Sequence, residues 1–348
     1  MTQACGLSAH NCLDMSVNTP ISQSKAAKKV IFALVLVVVC VTAPVAIVFH
    51  FHWQGAATVS VCAAMACIVS GIQAGWRVAF WCVVIGLSTC TFLAALFPGN
   101  PWWGAFVLGV VAYLVGRSAA RGLSSALLMV PIALGFQIAQ PPEVTVGIPE
   151  PLFLGLLVLV TAIFSTAVVF VVSRTRPTSN SLTPVTAVRA SYFALALGPF
   201  VAIATWFVVD LNLGHAGAWM ILTILVIFKP FIQDGIQKAA SRTLGTIGGF
   251  VIAIVVAQVS SSEIVYYVVG AAALITALAV VLLGHPYWQY AIALTTAIVM
   301  IEGATNLIRT AETRLAATLI GVAVSMIVML VLRPYAAKAS RKYGQTHY

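Results

Sequence analysis

Arg242, Thr246 and Gly249 stand at intervals of four and three residues, and Arg314, Thr318 and Gly321 repeat that spacing 72 positions later. Gly245 and Ala317 add a small residue to each series. On a helix, positions i, i+4 and i+7 share one face, so each series forms a stripe that offers a cation, a hydroxyl and a surface for close approach. A guanidinium entering an apolar medium can grip a carboxylate through two parallel N–H bonds, with the threonine adding a third just inside. That is anion handling without bond making. The same spacing also suits an arginine that snorkels to an interface above glycines that let helices pack closely.

Each stripe follows an apolar run carrying Trp and Thr: WMILT at 219–223 precedes Arg242, and WQYAIALTT at 288–296 precedes Arg314. Trp219 and Trp288 offer stacking walls for an aromatic ligand, or places in an interfacial aromatic belt. Of the eight carboxylates, Glu302, which ends the eleventh apolar run close in sequence to Arg309, and Asp234, in the turn leading to Arg242, are the proton-coupling candidates. Either could instead neutralise a neighbouring arginine. His215 and His285 also fall near the duplicated unit, at expected interfaces.

The elements that position these residues follow from composition. The 348-residue chain is 61% hydrophobic and 7% charged, with a mean hydropathy of +1.05, so its surface faces lipid. Its net charge of +10 is spread between apolar runs and reports topology before any nucleic-acid partner. Cys5, Cys12, Cys40, Cys62, Cys67, Cys82 and Cys90 make no metal-ligand spacing, and neither disulfide nor metal is expected. HExxH, GxSxG and GxxxxGK[ST] are absent, so neither an enzyme nor an ATPase is expected, and no cofactor.

Twelve apolar runs predict an all-α polytopic membrane protein, with spans near 30–49, 55–74, 78–97, 102–116, 122–140, 151–173, 190–209, 214–229, 243–260, 264–284, 287–302 and 315–333. With the N-terminus in the cytoplasm, sixteen of the eighteen Lys and Arg fall inside, and Arg309 and Arg314 fall outside. A cation on the wrong side needs a reason, and an anion path supplies one. The expected order is a cytoplasmic tail at 1–29, a six-helix repeat at 30–173, a Ser/Thr/Pro-rich linker at 174–189, a second six-helix repeat at 190–335 and a basic cytoplasmic tail at 336–348. SGIQAGWR at 70–77 echoes DGIQKAASR at 234–242, and an even number of spans per unit makes the two repeats parallel. The loop PPEVTVGIPEP at 141–151 is expected outside, stiff enough to be a docking ledge.

The segment AWMILTILVIFKPFIQDGIQKAASRTLGTIGG at 218–249, followed by ETRLAATLIG at 312–321, resembles the fusaric acid resistance and aromatic acid exporter superfamily, related to the aluminium-activated malate transporters. The resemblance covers 190–335; in the first half Arg77 is followed by Phe80, Trp81 and Val84, where the pattern asks for Gly, Thr and Gly. It implies export of aromatic or dicarboxylic anions with a periplasmic adaptor protein. The expected protein is therefore an inner-membrane exporter of organic anions, driven by the proton motive force. Arg242, Thr246, Arg314, Thr318, Trp219 and Trp288 would bind substrate, and Gly245, Gly249 and Gly321 would pack helices. A passive anion channel and a non-transporting scaffold subunit of an efflux assembly remain the alternatives, and a homo-oligomer is compatible with each.

Overall fold

The computed structural model describes residues 35, 38–173, 184–260, 262–283, 285–302 and 307–342. Among them the chain is helical without strands. In the first half the main helices are α1 (Val38–His50), α2 (Ala57–Ala74), α3 (Trp76–Ala95), α4 (Pro101–Ser118), α5 (Met129–Ala139) and α6 (Glu150–Ser173). In the second half they are α7 (Ala187–Asp210), α8 (Gly214–Ile227), α9 (Ile232–Val259), α10 (Glu263–Leu282), α11 (Tyr287–Glu302) and α12 (Leu307–Lys342). Among the described residues seven helices are long and apolar enough to cross a membrane, and five more are apolar but shorter. The chain is a multi-pass membrane protein.

Local sequence explains most boundaries. Asn100 caps α4 by accepting the Trp103 N–H at 3.1 Å, with Pro101 at the first helical position. Thr186 caps α7 in the same way. Gly75, at φ +91°, breaks α2 from α3 in a backbone conformation that a side chain would strain. Within α3, residues Ala79–Leu87 widen into a π-helical stretch.

The two halves of the chain meet along α4 and α7, an antiparallel pair faced with small residues. A Cβ on Gly109 would sit 2.8 Å from the Ala202 methyl carbon, and one on Gly116 would sit 2.7 Å from the Ala194 Cα. Backbones that approach this closely maximise van der Waals contact where lipid supplies no hydrophobic drive. Large apolar side chains such as Trp102, Phe106, Leu195 and Ile203 point outward, as lipid contact requires.

Several expectations change. α9 begins at Ile232 and α12 at Leu307, well before the spans expected at 243 and 315, because polar first turns such as IQDGIQKAASR are helical without being apolar. α12 also runs through Arg333 and Pro334 to Lys342, so its backbone takes in the first part of the expected basic tail; Ala336, Ala337 and Ala339 favour that continuation. The expected span at 122–140 is a turn followed by α5. The echo between 70–77 and 234–242 does not carry into local structure: Gly71 lies in the last turn of α2 with Arg77 just past the break, whereas Gly235 and Arg242 share one unbroken helix. Residues 174–183 of the linker expected at 174–189 and the N-terminal tail at 1–29 lie outside the described residues, and the end of that linker, from Ala187, is already the first turn of α7, capped by Thr186.

Candidate functional site

α9 buries Gly235, Ala239, Arg242, Gly245, Thr246, Gly249 and Ala253, and turns Ile236, Leu244, Ile247, Val251 and Val255 outward. The stripe read from spacing is thus the inward face of an otherwise lipid-facing helix. Arg242 is 1% exposed, deep in the bundle and not snorkelling. It is the eleventh residue of α9, which places it about 15 Å along the helix axis at 1.5 Å per residue. Its Nε and Nη2 have no acceptor among the described residues.

Glycine is what admits α9 to its neighbour. A Cβ on Gly245 would lie 2.2 Å from that of Ala291, and one on Gly249 would lie 2.6 Å from that of Thr295, both on α11. The second stripe packs differently. Gly321 on α12 approaches Thr223 on α8, where an added Cβ would stand 3.0 Å from the threonine Cβ. Each stripe therefore docks on the Trp/Thr helix of the other unit, not on the one that precedes it in the chain.

That exchange brings Arg314 to Trp219. Arg314 is 2% exposed and its guanidinium carbon lies 3.7 Å above the Trp219 ring centroid, a close cation–π contact. The Trp219 ring meets Phe136 of α5 edge-on at 4.9 Å and His215 at 5.9 Å, and His215 Nδ1 lies 2.7 Å from Gln140 Oε1. Phe136, Gln137 and Gln140 also line a cavity of about 270 Å³, together with Thr58 and Cys62 of α2. The first half thus contributes a chamber one aromatic layer away from Arg314.

Buried hydroxyls lie on the two stripe helices and on α11. Thr246, Thr295, Thr296 and Thr318 are buried, and none of their Oγ1 atoms has a hydrogen-bond partner among the described residues. Thr223, by contrast, donates to the Trp219 carbonyl at 2.8 Å. Tyr290 of α11 lies within electrostatic reach of both Arg242 and Arg314. Buried polar groups ordinarily find partners, so a cation and several hydroxyls left open in one interior form a site suited to a small anion.

The remaining candidates fall elsewhere. Trp288 is half-exposed near the start of α11. Asp234 is exposed in the first turn of α9, where its charge acts on Lys229 and Lys238. Glu302 ends α11, and its side chain lies outside the described residues. Tyr290, Thr295, Thr296 and Phe136 join the site without having been singled out from sequence. Tyr290 and the two threonines lie inside the WQYAIALTT segment, whereas nothing marked Phe136.

Lys229 lies between α8 and α9 at the end of the bundle away from His215. Burial first, then the charge of Lys238, push its ammonium down from 10.5 to about 8, with Asp234 opposing. The folded pKa is below the unfolded one, so the unfolded chain binds the extra proton between those values. Stability therefore rises as pH goes from about 8 to about 10.5. In detergent, the apparent unfolding temperature of the wild-type protein is expected to gain over Lys229→Met across that window; parallel curves would refute the effect.

Residues 200–328 match the model of the family described as fusaric acid resistance protein-like. The matched stretch contains both stripes and all of α8 to α11, so the likeness to that family falls on the part of the chain that carries the site. No curated protein and no solved structure matches the chain.

Proposed function

We propose that this fusaric acid resistance protein-like chain exports organic anions, aromatic or amphipathic carboxylates, across the inner membrane with both termini in the cytoplasm. The observation that carries the reading is Arg242, buried in a lipid-facing helix, with two guanidinium nitrogens lacking acceptors among the described residues and open hydroxyls on the same and facing helices. A carboxylate is the complement of that arrangement. It gives the guanidinium parallel acceptors and gives the threonine hydroxyls an oxygen to donate to. The family match over residues 200–328 supports transport, and the resemblance to aromatic acid exporters supports the carboxylate class, the proton motive force and a periplasmic adaptor.

In this mechanism Lys229 and Lys238 draw the anion toward the cytoplasmic end of α9. Arg242, Thr246, Thr295 and Tyr290 hold it in the interior. Arg314 and Thr318 receive it next, and release passes the Trp219–Phe136 layer into the cavity beside Gln140. The site must bind loosely enough to release, which two arginines separated along the path allow better than one clustered pair. Asp234 and Glu302 remain the coupling carboxylates of the proposal.

Uptake of labelled benzoate and succinate into proteoliposomes tests this directly, with and without an imposed pH gradient. Gradient-driven uptake, lost in Arg242→Ala protein that elutes and melts as a folded species, is the expected result. Uptake that follows voltage and anion gradient alone would replace the pump with a passive channel. No uptake under any gradient, from folded protein, would overturn autonomous transport and favour a scaffold subunit.

A further inference from the structure

The 72-residue interval extends beyond the stripes. α7, α8 and α9 are followed in the same order by α10, α11 and α12, with α8 and α11 the short members at 14 and 16 residues. At 1.5 Å per residue these two span about 21 and 24 Å, less than the hydrocarbon thickness of about 30 Å. Paired short segments in corresponding positions commonly flank a transport site.

Burial follows the same interval. Arg242, Gly245, Thr246 and Gly249 are buried, and so are Arg314, Ala317, Thr318 and Gly321. On the short helices, Trp219, Thr223 and Ile227 are buried, and so are Ala291, Thr295 and Val299. The outward positions coincide too: Ile236, Ile247, Val255 and Val259 correspond to Ile308, Leu319, Ile327 and Val331, all exposed. Contacts obey the same exchange, since Gly249 meets Thr295 and Gly321 meets Thr223, each pair being the other shifted by 72.

α9 and α12 run antiparallel. A Cβ on Gly235 would meet Met329 Sδ at 2.8 Å, while Ala253 lies in one apolar cluster with Ala311. A constant register through those two contacts sets Thr246 opposite Thr318, with Arg242 and Arg314 one turn away on opposite sides.

We propose that residues 187–259 and 263–331 are inverted copies of one three-helix unit, and that a single organic carboxylate binds per chain on their local two-fold axis, between Thr246 and Thr318. An odd number of helices per unit inverts the second copy, unlike the parallel six-helix arrangement expected from the 164-residue echo. The anion reaches the axis past Arg242 from one face and past Arg314 from the other, so the same two threonines serve both faces. The copies differ where it matters for direction. Trp219 holds the Arg314 charge against its ring, whereas the corresponding residue beside Gly245 is Ala291, which offers Arg242 no such support. Arg242 is thereby the stronger anion ligand and Arg314 the arginine that Trp219 competes for. The ligand's class rests on the anion-export reading; the inversion and the axis do not.

The test uses full-length protein with its seven cysteines replaced by serine, reconstituted in proteoliposomes. Asn212→Cys and His285→Cys, at equivalent turns, should react with a membrane-impermeant maleimide from opposite faces; reaction from the same face would overturn the inversion. Thr246→Cys with Thr318→Cys should form a disulfide under copper phenanthroline. No cross-link would overturn the axis. Millimolar benzoate or succinate should slow maleimide labelling of each single-cysteine variant several-fold with one shared half-effect concentration. Protection of only one, or of neither, would overturn the shared site. Protection without proteoliposome uptake would instead refute the transport reading while leaving the site in place.

Discussion

Arg242→Met is expected to raise the apparent melting temperature of the detergent-solubilised protein while removing its affinity for carboxylates. The two effects have one cause. An ion held in a low-dielectric interior without full compensation costs several kcal/mol, and Arg242 is 1% exposed with Nε and Nη2 lacking acceptors among the described residues. Methionine fills most of the same tunnel with an unbranched apolar chain and carries no charge. A net gain of even about 1 kcal/mol moves the melting point by roughly 2–4 °C in a chain of a few hundred residues. On the binding side, hydrogen bonds to charged groups contribute about 1.5–3 kcal/mol each, so losing a two-pronged guanidinium grip weakens binding by a factor of at least about 100. Benzoate should accordingly stabilise the wild type and leave Arg242→Met unmoved. Arg314→Met is the contrasting control: it removes the cation–π contact with Trp219 and should lower the melting point. If Arg242→Met melts lower than wild type and still responds to benzoate, the residue is a structural cation and the site lies elsewhere.

The stripe was legible in the sequence because helical spacing alone puts Arg242, Thr246 and Gly249 on one face, and apolar residues on the other positions say which face looks outward. Its depth was not legible. Hydropathy located α9 from residue 243, whereas helix formation starts at Ile232 in a polar turn, so Arg242 read as the entrance of a span, while the structure buries it against neighbouring helices in mid-helix. Partner choice was also hidden. Sequence order joins Trp219 to Arg242, yet Trp219 lies under Arg314, because the short helix of each unit packs against the stripe of the other. Such exchange is a property of the assembled helices and leaves no local trace. The short echo around Gly71 rests on three shared residues, and these carry less information than a burial pattern that recurs across two helices. Phe136 lay beyond reach for a simpler reason: it sits in a half of the chain without the motif, and only packing brings its ring to Trp219.

Gly245→Ala is expected to be among the most disruptive single-methyl additions in the second half. The new Cβ would stand 2.2 Å from the Ala291 Cβ, and the backbone carbonyl carbon of Ala291 is only 2.9 Å away, so no side-chain rotation relieves the clash. α9 and α11 must separate, and overpacking of this kind costs about 1–3 kcal/mol. The apparent melting point should fall by roughly 2 °C or more. Gly248→Ala, a turn-mate facing the flexible Ile292 side chain at 3.0 Å, should change it much less. Ala291→Gly in the Gly245→Ala background removes the nearer of the two clashing atoms and should restore part of the loss, because the two sites share one contact and cannot act additively. Function should suffer beyond stability: separating these helices moves Arg242 and Thr246 away from Thr295 and Tyr290, which the proposed anion spans. Carboxylate affinity should fall in Gly245→Ala even at temperatures where the protein is fully folded, and recover with Ala291→Gly. Equal melting points for Gly245→Ala and Gly248→Ala would mean that the α9–α11 approach is looser than 2.2 Å geometry demands, and the anion site would then lose the wall that holds its hydroxyls in place.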